Sequence, residues 1–389
     1  MYHIEIAFDW ALRSTVLIRK MKPEWFGELL QFGPPKIPEP KRIPSLDGLR
    51  GMSILLVLLG HLSASAGFFL IIPLRQDLGN LGVRVFFVIS GYLITYLLLK
   101  EESEMGVISL KSFYSRRIYR IFPAFYAYIA FIAALSAVGL INTEKWEILG
   151  AITFTSNFYH ARSWYTGHLW SLSVEEQFYL LWPTILRCTG RNRAFQIACG
   201  VFIAAPLFRI CVLVFLPEQT LKTLQLFPTV ADSLAIGCMF AGARELLGRT
   251  RRYLGALRSP WFLLIFPLVF ILNYNFSTKV YCGLEWTILN IAIGLILDRV
   301  VRYPMVWPGK VLNSLPFTIL GVLSYSLYLW QQPFLNRNAA SPVNRFPTSL
   351  MCALSFALIS YLLIERPFLS LKARPSTNRS GVSERRREE

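Results

Sequence analysis

Ten apolar stretches govern what this chain can fold into: those near residues 48–72, 82–99, 121–141, 169–187, 194–216, 224–246, 261–275, 281–297, 317–335 and 347–365. A hydrocarbon core about 30 Å thick takes roughly 20 helical residues to cross, and most of these stretches are long enough. With 54% hydrophobic residues, 16% charged residues and a mean hydropathy of +0.45, the composition excludes an ordinary soluble domain. The expected fold class is all-α, a polytopic membrane helix bundle of about ten transmembrane helices. The 261–275 stretch is short for a span. A further apolar piece, 148–158, is too short to cross and is expected to be re-entrant or packed inside the bundle, its course left open.

The formal net charge of +17 raises the question of a nucleic-acid partner, and the distribution of charge answers it. With the N-terminus in the cytoplasm, roughly 30 of the Lys and Arg residues fall on inner segments and about 7 on outer ones, the bias of the positive-inside rule. An even number of spans then puts both N- and C-termini in the cytoplasm. The charge reports topology: the expected surroundings are a lipid bilayer, with no nucleic acid. The six cysteines are scattered, mostly within apolar spans, with no C-x-x-C and no paired Cys/His spacing, so they read as packing thiols and no metal site is expected. Residues 1–42 read as a cytoplasmic N-terminal extension without a signal peptide, 43–371 as the integral-membrane domain, and 372–389 as a disordered basic cytoplasmic tail.

Within the first stretch, Arg50 and His61 stand eleven positions apart. At 100° per residue that is roughly 20° past three full turns, so both side chains leave one helix face about 16.5 Å apart. If Arg50 lies at one membrane surface, His61 lies near mid-depth, where an ionisable group is costly and a functional candidate. Two readings of Arg50 stand together, an interfacial anchor or partner of Asp47, and an anion contact.

Six segments carry a resemblance: 43–62 (IPSLDGLRGMSILLVLLGHL), 82–95 (GVRVFFVISGYLIT), 115–123 (SRRIYRIFP), 168–183 (HLWSLSVEEQFYLLWP), 324–333 (SYSLYLWQQP) and 364–368 (IERPF). In this order they resemble the signatures of the membrane-bound acyltransferase family 3, bacterial O-acyltransferases of the O-antigen- and exopolysaccharide-modifying type. The resemblance implies a multi-pass enzyme of the bacterial cytoplasmic (inner) membrane. Such an enzyme moves an acyl group, often acetyl, from acyl-CoA to a hydroxyl of a carbohydrate or glycolipid acceptor. Acyl-CoA, with acetyl-CoA the expected form, is then a co-substrate, and no cofactor is expected to stay bound.

Acyl transfer from a thioester to a hydroxyl needs a base for the hydroxyl proton, stabilisation of the oxyanion, and a cationic clamp for an anionic carrier. His61 is the expected base and Arg50 a phosphate contact; whether His61 instead holds the acyl group transiently is open. If the 110–120 segment is helical, Arg116 and Arg120 lie one turn apart, a spacing that suits the phosphates of coenzyme A. The resemblance adds Arg117 and Arg120 as an RxxR carrier site, against the plain reading of inward positive charge.

Glu175 is the freer of two adjacent carboxylates and is expected to orient His61, bind the acceptor or pair with Arg84. Glu176 has capping-box spacing from Ser173, at the start of a helix expected over 174–187, with acceptor binding as its other reading. Trp170 and Tyr179 suit an interface belt or stacking against a sugar ring. Ser90 and Gly91 suit close helix packing, with Ser90 also a candidate substrate contact. Tyr328 and Gln331 complete the candidates. The family more often has His at the position of Gln331, which leaves proton transfer to His61 alone. Glu365 and Arg366 read as an interfacial stop signal. A transporter or permease, and a scaffold for anionic lipid, remain the alternatives.

Overall fold

The computed structural model describes residues 43, 45–63, 67–68, 78–219, 223–274, 284–339 and 341–372. The expected N-terminal extension, and the tail after residue 372, lie outside the described residues. The chain is 83% helix with no strand among the described residues, so the all-α expectation holds. The main helices are α1 (Leu46–Leu62), α2 (Leu78–Met105), α3 (Leu110–Ala137), α4 (Lys145–Ile152), α5 (Leu169–Phe215), α6 (Phe227–Gly242), α7 (Ile265–Tyr274), α8 (Glu285–Arg302), α9 (Leu315–Phe334) and α10 (Thr348–Ser360). After α10 the chain runs through a π-helical turn, Tyr361–Glu365, into Arg366–Lys372.

Local chemistry sets several of these ends. Ser109 caps α3 by accepting from Ser112 N at 3.3 Å. Proline in the first turn opens α6 and α9, where its missing N–H costs nothing. Gly190, at φ 74° and ψ 170°, breaks α5 into two helices, a conformation that glycine takes without a Cβ clash.

Among the described residues, four helices are long and apolar enough to cross a membrane: Leu78–Met105, Leu110–Ala137, the broken Trp164–Phe215, and Thr348–Leu371. A fifth is reached if Arg251–Arg258 and Pro260–Asn273, bent by 64°, count as one span. The other stretches are helical but short or diluted by polar residues: α1 has 17 residues and α6 has 16, and α8 carries Asp298, Arg299 and Arg302 in its last turns. Leu180, Leu181, Val214, Met351 and Leu363 are exposed, as on surfaces that meet lipid rather than water.

The short helices α1 and α6 and the long helix α2 sit inside. In α2, 72% of the apolar window is buried within the protein, against 28–33% in the other three spans. Around α2 pack α1, α5 and α6, and α9 lies on α1 and α10. The crossings rest on missing side chains. A Cβ on Gly321 would meet the Asp47 carbonyl, one on Gly91 the Leu234 carbonyl, and one on Gly237 the Val88 carbonyl. Without a hydrophobic drive between helices in lipid, such close approach is what holds them. Gly91→Ala is therefore expected to lower the unfolding temperature of the purified protein, at a cost of about 1–3 kcal/mol for overpacking. Gly200→Ala, with nothing within 4 Å, is the control; equal behaviour of the two variants would refute this account of the α2–α6 crossing.

A buried polar network ties α5, α6 and α8 together. Arg209 donates to both oxygens of Asp232, at 2.8 and 3.1 Å, and to Thr287 Oγ1 at 2.7 Å, while Thr287 donates to Asp232 at 2.8 Å. Arg209 is 3% exposed and Asp232 is 0% exposed. The bidentate geometry and the third partner are what make a desolvated ion pair tolerable.

The segment whose course was open now has one. Glu147, on α4, accepts from Ser163 N at 2.9 Å, from Ser163 Oγ at 2.7 Å, and from Thr166 Oγ1. This carboxylate ties α4 to residues 163–166, and the Trp164 indole beside them reaches α9, donating to the Gln332 main-chain carbonyl at 2.7 Å.

Candidate active site

One cavity, about 700 Å³ with its open mouth, gathers most of the expected residues. α1 contributes Arg50, α2 contributes Ser90, α3 contributes Arg117 and Arg120, α5 contributes Glu175, Glu176 and Tyr179, and α9 contributes Tyr328. Arg50 and Arg117 are half-buried and Arg120 is exposed, so the cavity opens at its arginine end. No ion pair within 4.0 Å joins any of these three arginines to a carboxylate among the described residues. Arg117 instead lies 4.1 Å over the Tyr179 ring. Three guanidinium groups thus line one cavity with no carboxylate bonded to them among the described residues, an arrangement able to hold a multiply charged anion.

Glu175 lines the same cavity and is held there by its neighbours. It accepts from Ser90 Oγ, and the Tyr179 hydroxyl lies 2.5 Å from its Oε1 and 3.0 Å from Ser90 Oγ. Deeper in, the Tyr328 hydroxyl lies 2.5 Å from Ser171 Oγ and donates to the His168 carbonyl at 3.0 Å.

His61 does not line the cavity. It stands at the far end of α1, as eleven residues from Arg50 require, with its ring edge-on to Trp164 at 5.4 Å. Its Nδ1 lies 2.7 Å from Gln331 Oε1. Gln331 and the cavity residue Tyr328 are one turn apart on α9, a rise of about 4.5 Å, so α9 joins the two places.

Several expectations change. Glu175 does not bond to His61; Gln331 does. Arg84 lies 3.8 Å over the Trp286 ring rather than in the cavity. Ser173 cannot open a capping box, because α5 begins at Leu169; the Ser173 hydroxyl donates back to the Leu169 carbonyl at 3.0 Å. Glu176 is thereby free to face the cavity. The capping box of this region is Glu144 with Glu147. Arg116 pairs with Glu101 at 3.2 Å and is absent from the cavity lining. Trp170 packs edge-on to Phe87 at 6.1 Å and is likewise outside it. Glu365 is no surface stop signal: it is 5% exposed and accepts from Ser326 Oγ. Trp164, Gln332 and Ser326 were not anticipated. Two adjacent glutamines in an apolar run were the available signal for Gln332.

Comparison with known proteins is consistent along the whole membrane domain. The chain is 28% identical over 363 residues to "Putative O-acetyltransferase SACOL0978" of Staphylococcus aureus (strain COL), covering 84% of this chain and 57% of that protein. It is 30% identical over 369 residues to "O-acetyltransferase OatA" of Staphylococcus aureus (strain NCTC 8325 / PS 47), covering 85% of this chain and 58% of that protein. The chain thus spans little more than half the length of these curated relatives. No solved structure matches it. The family model described as "Acyltransferase domain" (Acyl_transf_3) matches residues 43–366, most of the chain and all six of the signature segments up to its last residues, so this chain belongs to the acyltransferase 3 family.

Proposed function

We propose that the protein is a membrane O-acyltransferase that moves an acyl group, taken here as acetyl, from cytoplasmic acyl-CoA to a hydroxyl of a cell-surface carbohydrate or glycolipid. The observation that carries this reading is the cavity in which Arg50, Arg117 and Arg120 converge, at one end of the helix that holds His61 at the other. The phosphates of the carrier take the arginine end, and the pantetheine arm runs along α1 and α9 toward His61. There the acceptor hydroxyl attacks the thioester carbonyl. A C–O bond forms, the C–S bond breaks, the hydroxyl proton passes to His61, and the thiolate leaves as coenzyme A and is reprotonated.

Glu175, fixed by Ser90 and Tyr179, and Glu176 provide acceptors for sugar hydroxyls on the cavity wall. The bundle crosses the bacterial inner membrane about ten times, with both termini in the cytoplasm; short helices such as α1 and α6 cross as inner members of the bundle. Arg50 then faces the cytoplasm, where acyl-CoA is found.

The test is transfer of labelled acetyl from acetyl-CoA to a panel of glycans in proteoliposomes. Arg117→Gln and Arg120→Gln should each raise the KM for acetyl-CoA about tenfold, since a charge-assisted hydrogen bond contributes roughly 1.5 kcal/mol. kcat should change little. Transfer to no member of a broad panel, or unaltered KM in both variants, would overturn the reading and favour a transporter.

A further inference from the structure

Gln331 occupies a place that decides the chemistry of His61. An imidazole base can carry its proton on either nitrogen, and the nitrogen available to a substrate is the one that does not. Which one that is follows from a chain of hydrogen bonds whose polarity is fixed at its far end. Gln332 Nε2 lies 2.8 Å from the main-chain carbonyl of Trp164. A carbonyl only accepts, so the Gln332 side chain must present its NH2 group there. Its Oε1 therefore faces Gln331 and accepts from Gln331 Nε2 at 2.9 Å. Gln331 Oε1 is then the atom left for His61 Nδ1, at 2.7 Å, and Nδ1 must donate.

We propose that Gln331 and Gln332 are positioning residues that hold neutral His61 as the Nδ1-protonated tautomer, so that Nε2 is the nitrogen that takes the acceptor's proton. The relay is itself braced. Gln331 is 0% and Gln332 4% exposed, and the Trp164 indole donates back to the Gln332 carbonyl at 2.7 Å while its ring meets the His61 ring. Nε2 points toward the start of α2, where a Cβ on Gly79 would lie 3.8 Å away. Gly79 sets no Cβ against that nitrogen. The segment ending at Trp164 thus sets, through two amides, the state of a residue on α1. The part of this inference that calls His61 a base rests on the proposed acyl transfer; the tautomer does not.

Among the described residues, the charged or titratable groups that face His61 are Arg337, in the segment after α9, and His168, at the start of α5. Neither is altered by the variants below. The first measurement is NMR of the protein labelled with 13C and 15N histidine in lipid nanodiscs. The chain has four histidines, and His61→Ala assigns the signal. The ring-carbon shifts of neutral His61 should report the Nδ1–H tautomer, and Gln331→Leu should convert it to a mixture or to Nε2–H. A neutral Nε2–H tautomer in the unaltered protein, or the same tautomer with and without Gln331, would overturn the proposal.

The second measurement is the pH profile of acetyl transfer. Gln331→Glu keeps the shape and the acceptor oxygen but places a carboxylate against Nδ1, which favours the imidazolium. The acid limb of the kcat profile should move to higher pH by about one unit. Gln331→Leu should lower kcat about tenfold or more with the KM for acetyl-CoA unchanged, and an unmoved acid limb in Gln331→Glu would also count against the relay. Absence of transfer by the unaltered protein would sink the acyltransferase reading, while the NMR result would still decide the tautomer.

Discussion

His61→Ala is expected to reduce acetyl transfer by about 10²- to 10⁴-fold in kcat, the usual contribution of a positioned general base. The KM for acetyl-CoA should stay within about twofold, because the arginines proposed to hold the carrier line a cavity that His61 does not, and Arg50 stands roughly 16.5 Å from His61 by helical rise. The loss should be the same whether the acceptor is added at low or saturating concentration, since the missing group acts on the proton and not on binding. His61→Asn serves as the companion variant, because it keeps a polar side chain toward Gln331; unfolding temperatures of both variants should match the unaltered protein. Retention of more than a tenth of the rate in both variants would remove His61 from the chemistry. A large rise in KM at constant kcat would make it a binding residue instead.

Arg209→Met is expected to destabilise the protein by about 3–5 kcal/mol, the cost of leaving a buried carboxylate without its partner. Asp232, fully buried, would keep only the Thr287 hydroxyl as a direct partner from the network. Thermal unfolding of the purified protein in detergent measures the loss. The double variant Arg209→Met, Asp232→Leu should recover much of it, because replacing both charges by apolar groups removes the desolvation cost along with the attraction. A double variant no more stable than the single one would mean that the charge pair contributes more than its mutual compensation. The network also ties α5, α6 and α8 together, so transfer activity should fall in step with stability.

Part of the candidate site's layout was legible in the sequence. The eleven-residue interval placed Arg50 and His61 at opposite ends of one helix, and both are found there. Arg117 and Arg120 were singled out with Arg50, and one cavity collects all three. Arg116 shows the limit of that reasoning. Helical spacing puts it one turn from Arg120, yet its guanidinium turns to Glu101, fifteen residues earlier in the chain. Ser173 and Glu176 have the spacing of a cap, but a helix that starts at Leu169 makes both interior. Spacing states what two residues can do in a helix and leaves open where the helix begins.

The sequence by itself determined the helical class, the apolar length of the segments and the alignment of groups along α1, because these depend on neighbours within a few turns and on the cost of unpaired backbone in lipid. Tertiary structure alone decided which polar group meets which. His61 meets Gln331 across 270 positions, Ser90 meets Glu175 across 85, and Glu365 is drawn inward to Ser326. An apolar helix face packs equally well against lipid or another helix, so hydrophobic pattern does not choose the neighbour. That choice falls to small residues such as Gly91 and Gly321, which let two backbones approach, and to the few buried polar groups that must find one another.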